Sequence, residues 1–132
     1  MLKTLFLAGP YMGETHDHRS YCQIDHHINV AREAAAWCAN NGIFYFCPHL
    51  HSAHFEVITP DVSVQFWYAL DLRFLSLCDG MLLLPGWAAS YGARRERQAM
   101  WQADDERGVA RRPHFQFDRD QEAILAWAKG KK

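Results

Sequence analysis

Four consecutive apolar residues, Met81-Leu82-Leu83-Leu84, run directly into Pro85-Gly86, and this short stretch constrains the fold more than any other feature of the chain. It is too short to be a buried helix, so it reads as a strand covered on both faces, the kind found in parallel sheets. Parallel neighbours must be joined by long crossovers, usually helices. The chain supplies such strands and crossovers in alternation. Leu2 to Ala8, closed by Gly9-Pro10, predicts a first strand; Ile43 to Cys47, closed by Pro48, a second; and Pro113 to Phe117 a short fourth. Between them, Ile28, Ala31, Ala34, Ala35 and Cys38 fall at helical spacing in a segment from Ile24 to the stop at Asn40-Asn41-Gly42. Thr59 as N-cap and Pro60 as first residue predict a helix lasting to about Leu77, with Val62, Phe66, Ala69 or Leu70, and Leu77 as its core stripe. A third helix spans Tyr91 to about Glu106, closed by the polar turn Asp104 to Gly108, and a last one Asp120 to Lys129, with Ala123, Ile124 and Trp127 facing inward. The order predicts one doubly wound α/β domain over residues 1–132. Its sheet is mostly parallel, of four or five strands with helices on both faces, Rossmann- or flavodoxin-like.

A 132-residue chain with 49% hydrophobic and 14% aromatic residues can bury a substantial core and is not disordered. Its formal net charge of -1, from 14 basic and 15 acidic residues, provides no general field for a nucleic-acid polymer or a membrane surface, so any nucleotide partner is expected to be small. Thr4 to Ala8 is too short for a signal-peptide core and no segment approaches a membrane span, which predicts a cytoplasmic protein. Cys22, Cys38, Cys47 and Cys78 form no CxxC pair and are expected to be reduced thiols packed as small hydrophobes.

Ligands of open α/β sheets bind beyond the carboxyl ends of the strands, and the loop after Leu84 leaves such an end and feeds Ser90 into a helix start. In that helix Ala93, Glu96, Ala99, Met100 and Ala103 share one face. Gly92 and Ala93 leave open the space over which the Glu96 side chain leans, while Arg94, Arg95 and Arg97 point elsewhere. Taken alone, the stretch reads first as an Arg-rich solvated helix in which Glu96 is one more charge. Trp67 and Asp71 stand one turn apart on another helix, suited to stack on and hydrogen-bond a flat heterocycle, or to serve as a core-edge indole and an Asp bonded to Arg73 or solvent. The polar segment from Tyr11 to Gln23 reads as a functional loop in which Arg19 and the histidines meet an anion, or as a solvated loop. His49, His51 and His54 lack a suitably placed carboxylate, so substrate contact or ordinary loop packing is expected of them rather than a metal site.

LAGPY after the first strand, FCPH after the second, ALDLRFLSLCDG across the second helix and third strand, and SYGARRERQA at the next helix together resemble the nucleoside 2-deoxyribosyltransferase-like superfamily, which includes deoxynucleoside 5'-monophosphate N-glycosidases. The resemblance extends from Leu5 to about Ala103 and implies a single nucleoside deoxyribosyltransferase-like domain. By that likeness Glu96 is the nucleophile, Asp71 handles the base, Gly9 lies where the first loop passes the sugar, and Ser90 takes the position that reads a 5'-phosphate. Asp79 also aligns, at a place that suggests structure. Two departures concern the substrate. Only Gly9 and Gly13 remain of the family's Gly-rich run, and Arg94 and Arg95 replace small or aromatic residues. The candidate site thus has Glu96 and Asp71 as catalytic residues and Gly9, Tyr11, Arg19, His49, Trp67, Ser90 and Gly92 as substrate contacts, with no metal or cofactor. The implied activity is cleavage of an N-glycosidic bond through a glycosyl-Glu96 intermediate that passes to water or to a second base. A catalytically silent nucleotide-binding or sensing module is the alternative. A homodimer or higher homo-oligomer is expected, because Trp87, Trp101 and Tyr91 lie where a partner would cover them.

Overall fold

The computed structural model describes residues 2–12 and 21–130. Among these, four strands form one all-parallel sheet: β1 (Thr4–Ala8), β2 (Phe44–Phe46), β3 (Gly80–Leu83) and β4 (His114–Gln116), in the order β2-β1-β3-β4. The register pairs Thr4 with Phe44, Leu5 with Gly80 and Met81 with His114. The helices are α1 (Tyr21–Asn40), α2 (Pro48–His51), α3 (Phe55–Ile58), α4 (Val64–Ser76), α5 (Tyr91–Glu106) and α6 (Gln121–Ala128), with a 3-10 turn at Trp87–Ala89. The α/β class, the single parallel sheet and its four strands agree with the sequence pattern.

Alternation along the central strands divides the core into two layers. Leu5, Leu7, Leu82 and Leu84 pack against Ala31, Ala34 and Cys38 of α1 and Ile124 of α6. Phe6, Ala8, Met81 and Leu83 face Leu75 of α4 and Ala93 and Met100 of α5. Helices therefore cover both faces, and every residue of β3 is buried. Each fully buried large side chain contributes about 1.5–3 kcal/mol of transfer free energy. No helix among the described residues is long and apolar enough to cross a membrane.

Several local expectations are corrected. Thr59-Pro60 does not open the second long helix: Thr59 ends α3, its hydroxyl donating back to the Phe55 carbonyl at 2.8 Å. Ser63 caps α4 instead, accepting from the Phe66 amide at 3.1 Å. The shift changes the buried face, so Phe66 and Leu77 are exposed while Leu75 is buried and Leu72 packs beside it. The segment holding His49 and His51 is a helical turn, α2, rather than a loop. Tyr21 to Gln23 already belong to α1. Ala123 is exposed, with Ile124 buried and Trp127 half-buried. Asp104, expected in a polar turn, is buried inside α5. Cys38, Cys47 and Cys78 are buried thiols as expected, but Cys22 is exposed.

Candidate active site

Chain connections leave β1 towards β2 on one side and β3 towards β4 on the other, so the carboxyl ends of β1 and β3 flank the point where the winding reverses. The two loops leaving these strands touch. Gly9 is buried, and a Cβ there would lie 2.7 Å from the Leu84 Cβ, so only glycine lets the first loop cross the end of β3. Gly86, at φ 85°, turns the second loop back against Pro10. The requirement for Gly9 thus comes from packing between loops.

Both proposed catalytic carboxyls come from helices on one face of the sheet, Asp71 from α4 and Glu96 from α5. Glu96 is 8% exposed and shares the inward face of α5 with Ala93 and Met100. Burial, reinforced by the Asp71 charge and opposed by Arg95, pushes its carboxyl up to about 8. Burial alone pushes Asp71 up to about 6. No hydrogen bond or ion pair joins Asp71 to Arg73 or to any other described residue. Near neutrality burial therefore keeps the proton on Glu96 while Asp71 is ionised, and two desolvated carboxyls with values set apart are suited to act one as acid and the other as base or nucleophile. Cys47 lies close enough to feel both charges, and burial holds its thiol up at about 11.

The remaining predicted contacts fall around this pair unevenly. Trp67, on α4 one turn before Asp71, is half-buried and meets the rings of Phe55 and Phe66 edge-on, with centroids at 5.5 and 5.1 Å. Ser90 caps α5, its Oγ accepting from the Ala93 amide at 3.2 Å, which leaves the hydroxyl proton available to an acceptor. Gly92 is exposed and a Cβ there would meet nothing within 4 Å, so the approach over the first turn of α5 is open. Tyr11 carries a structural task that the sequence did not show. Its phenol donates to the Glu56 carboxylate, 3.0 Å from each oxygen, and accepts from the His54 amide at 2.7 Å, while His27 donates from Nδ1 to its carbonyl at 2.9 Å. It pins the first loop to α3 and α1. Arg19 lies outside the described residues, as do Gly13, His16 and His18.

The three clustered histidines go to separate partners. His49 is buried and donates from Nε2 to the Pro10 carbonyl at 2.7 Å; burial keeps its ring pKa low and therefore neutral, and its buried Nδ1 has no partner among the described residues. His51 packs against Phe46 and Phe74. His54 adopts a left-handed backbone at φ 62° and places Nε2 3.0 Å from Asp25. Among the described residues no group of three His, Cys, Asp or Glu side chains is placed to hold an ion. Asp79 has a structural task, as its position suggested: it accepts from the Thr4 amide at 2.8 Å and its own amide donates to the Thr4 carbonyl, joining the starts of β1 and β3.

Sequence reasoning missed Glu56, 45 positions from the Tyr11 it holds, and the basic groove on the outer flank of α5. For the groove a signal was present, since Trp101 follows Arg97 by one helical turn, the spacing at which a guanidinium and an indole meet. No curated protein sequence matches the chain. A family model described as a domain of unknown function, DUF1937, matches residues 3–110, most of the chain, and the protein belongs to that family.

Proposed function

We propose that this protein cleaves the N-glycosidic bond of a nucleoside 5'-monophosphate or a nucleoside. The observation that carries the reading is the Glu96–Asp71 pair: two carboxyls, both raised by burial, on neighbouring helices that cover one face of the sheet. Ionised Glu96 attacks the anomeric carbon as the carbon–nitrogen bond breaks, the bonding electrons leave with the base, and Asp71 supplies the proton that the base nitrogen takes. Trp67 holds the base flat, and the open first turn of α5 admits the sugar. The resulting glycosyl ester is opened by water, with ionised Asp71 accepting its proton, or by a second base, giving hydrolase or transferase activity respectively.

The same electrostatics favours a second reading. With the site empty at neutral pH, Glu96 holds its proton, being the higher of the two at about 8, and a protonated carboxyl is no nucleophile. A silent nucleotide-binding module would keep it there, whereas an enzyme needs the proton passed to Asp71 when the base arrives. Incubating the purified protein with a panel of nucleosides and their 5'-monophosphates and separating the products by chromatography decides between them. Free base should appear with wild type and vanish with Glu96→Ala, a change a helix tolerates well. Binding without base release identifies the silent module, and undiminished release by Glu96→Ala removes Glu96 from the mechanism. The proposal includes a homo-oligomer of at least two copies in the cytoplasm, using no cofactor.

A further inference from the structure

On the flank of α5 turned away from Asp71 lies a cavity of about 770 Å³, with Arg94, Arg95, Arg97 and Arg111 and the rings of Trp87 and Trp101 in its wall. A second, of about 360 Å³, shares Trp87, Arg97, Trp101 and Arg111 with it and continues past His114 of β4. Helical spacing puts Arg94, Arg97 and Trp101 on an outer face of α5 while Ala93, Glu96 and Met100 face the sheet, so a ligand here does not touch Glu96.

The charge in this groove is unbalanced. Asp105 is the carboxylate in the wall of the larger cavity, and Arg111 takes it with two bonds of 3.0 and 2.8 Å. No carboxylate among the described residues pairs with Arg94, Arg95 or Arg97. Arg94 makes only a long 3.4 Å bond to the Ser90 carbonyl. Aromatic rings fix the other guanidiniums instead. Arg97 lies 4.0 Å over Trp101 and 5.2 Å over Trp87, and Arg95 lies 3.9 Å over Tyr68 and 5.1 Å over Tyr91. Stacking restrains a guanidinium by its flat face and leaves the N–H edge free to donate. The Arg97 Nε is buried with no acceptor among the described residues, and both ring nitrogens of His114, stacked on Trp101 at 4.3 Å, are likewise buried without partners among them. The Arg97 N–H and the single N–H of the His114 ring, which burial keeps neutral with its pKa pushed down to about 4, lack the acceptor that an oxyanion supplies.

We propose that this groove binds a small phosphorylated ligand carrying two or more negative charges, a diphosphate group being the chemistry that its unpaired, ring-stacked guanidiniums match. The cavity volume falls in the range of small-molecule sites. A chain of formal net charge -1 offers no extended field to draw in a polymer, so the basic surface is local. Binding here stands whether or not the Glu96–Asp71 pair cleaves anything, although Arg95 in the cavity wall is also the charge that opposes the rise of the Glu96 pKa.

Calorimetric titration with inorganic pyrophosphate at low salt, with inorganic phosphate and a short oligodeoxythymidylate in parallel, tests the site. Pyrophosphate should saturate at one per chain, bind at least about tenfold tighter than phosphate, and weaken as salt is added. Arg97→Gln and the exposed Arg94→Gln should each weaken it about tenfold or more, while Glu96→Gln and the remote Arg32→Gln leave it unchanged. Arg94→Gln carries the test if Arg97→Gln disturbs the fold. Absence of saturable binding, equal affinity in the arginine variants, loss of binding in Glu96→Gln, or tighter binding of the oligonucleotide than of pyrophosphate at equal phosphate concentration would each overturn it.

Discussion

Burying Glu96 beside Asp71 raises its carboxyl from an ordinary 4.5 to about 8, so the folded chain holds a proton that the unfolded chain releases. Between about pH 4.5 and pH 8 the native state binds more protons, and stability is therefore fully present below that window and lost as pH rises through it. Glu96→Gln keeps a neutral side chain of the same shape and removes the titration. Relative to wild type, its urea midpoint should rise as pH goes from about 5 to about 8, by a few kcal/mol in stability. A difference that does not change with pH would mean that Glu96 is ionised throughout, and a protonated resting Glu96 would be ruled out. Ser90 permits an equally clean substitution. Asp caps a helix as well as Ser does, so Ser90→Asp should leave the fold intact while placing a negative charge at the start of α5. A phosphate donor site becomes a repulsive one. Under the glycosidase reading, kcat/KM for a 5'-monophosphate should fall by about tenfold or more against the matched nucleoside. An unchanged ratio shows that Ser90 does not read the phosphate.

Elements were legible in this sequence where burial imposes a period. The apolar run at Met81 to Leu84 and the Ala-rich stripe of α1 have few alternative structures, and the small inward face of α5 pointed to the burial of Glu96. The start of α4 was hidden because Thr59-Pro60 carries the ordinary cap signal while the Thr59 hydroxyl is turned back to the preceding turn; Ser63 carries an equally good signal four residues later. Asp104 was hidden for a different reason, since its partner comes from beyond the end of the helix. Arg112 donates to it from the backbone amide at 2.8 Å and from Nε at 2.9 Å, and reaches on to the Cys78 carbonyl at 3.0 Å. This buried pair fastens α5 to the end of α4 and to the approach to β4. Asp104→Ala would leave the guanidinium buried without its carboxylate, a loss of about 3–5 kcal/mol. Urea denaturation should show that loss. A change of less than about 1 kcal/mol would mean that the pair is open to water.

At the scale of the whole molecule, the aromatic residues expected to meet a partner are largely engaged within the chain. Trp87 and Trp101 are half-buried beneath Arg97, and among the three only Tyr91 is exposed. Bare apolar surface gathers elsewhere, on α3 and the start of α4, where Val57, Ile58, Val64 and Phe66 are each more than half exposed. An exposed apolar cluster of this kind is what an isologous contact between two copies would cover. The same segment carries Phe55, whose ring supports Trp67, so a partner seated there would also stiffen the plate proposed to hold the base. Light scattering at micromolar concentration should give at least twice the chain mass. Val64→Asp is the informative variant, because Val64 is 75% exposed and begins α4, where the helix dipole welcomes a carboxylate and the fold loses little. It should yield a monomer and raise KM for the nucleoside substrate more than it lowers kcat. A wild-type protein of strictly monomeric mass would remove the oligomer from the proposal, and a Val64→Asp protein that still associates would move the contact to another face.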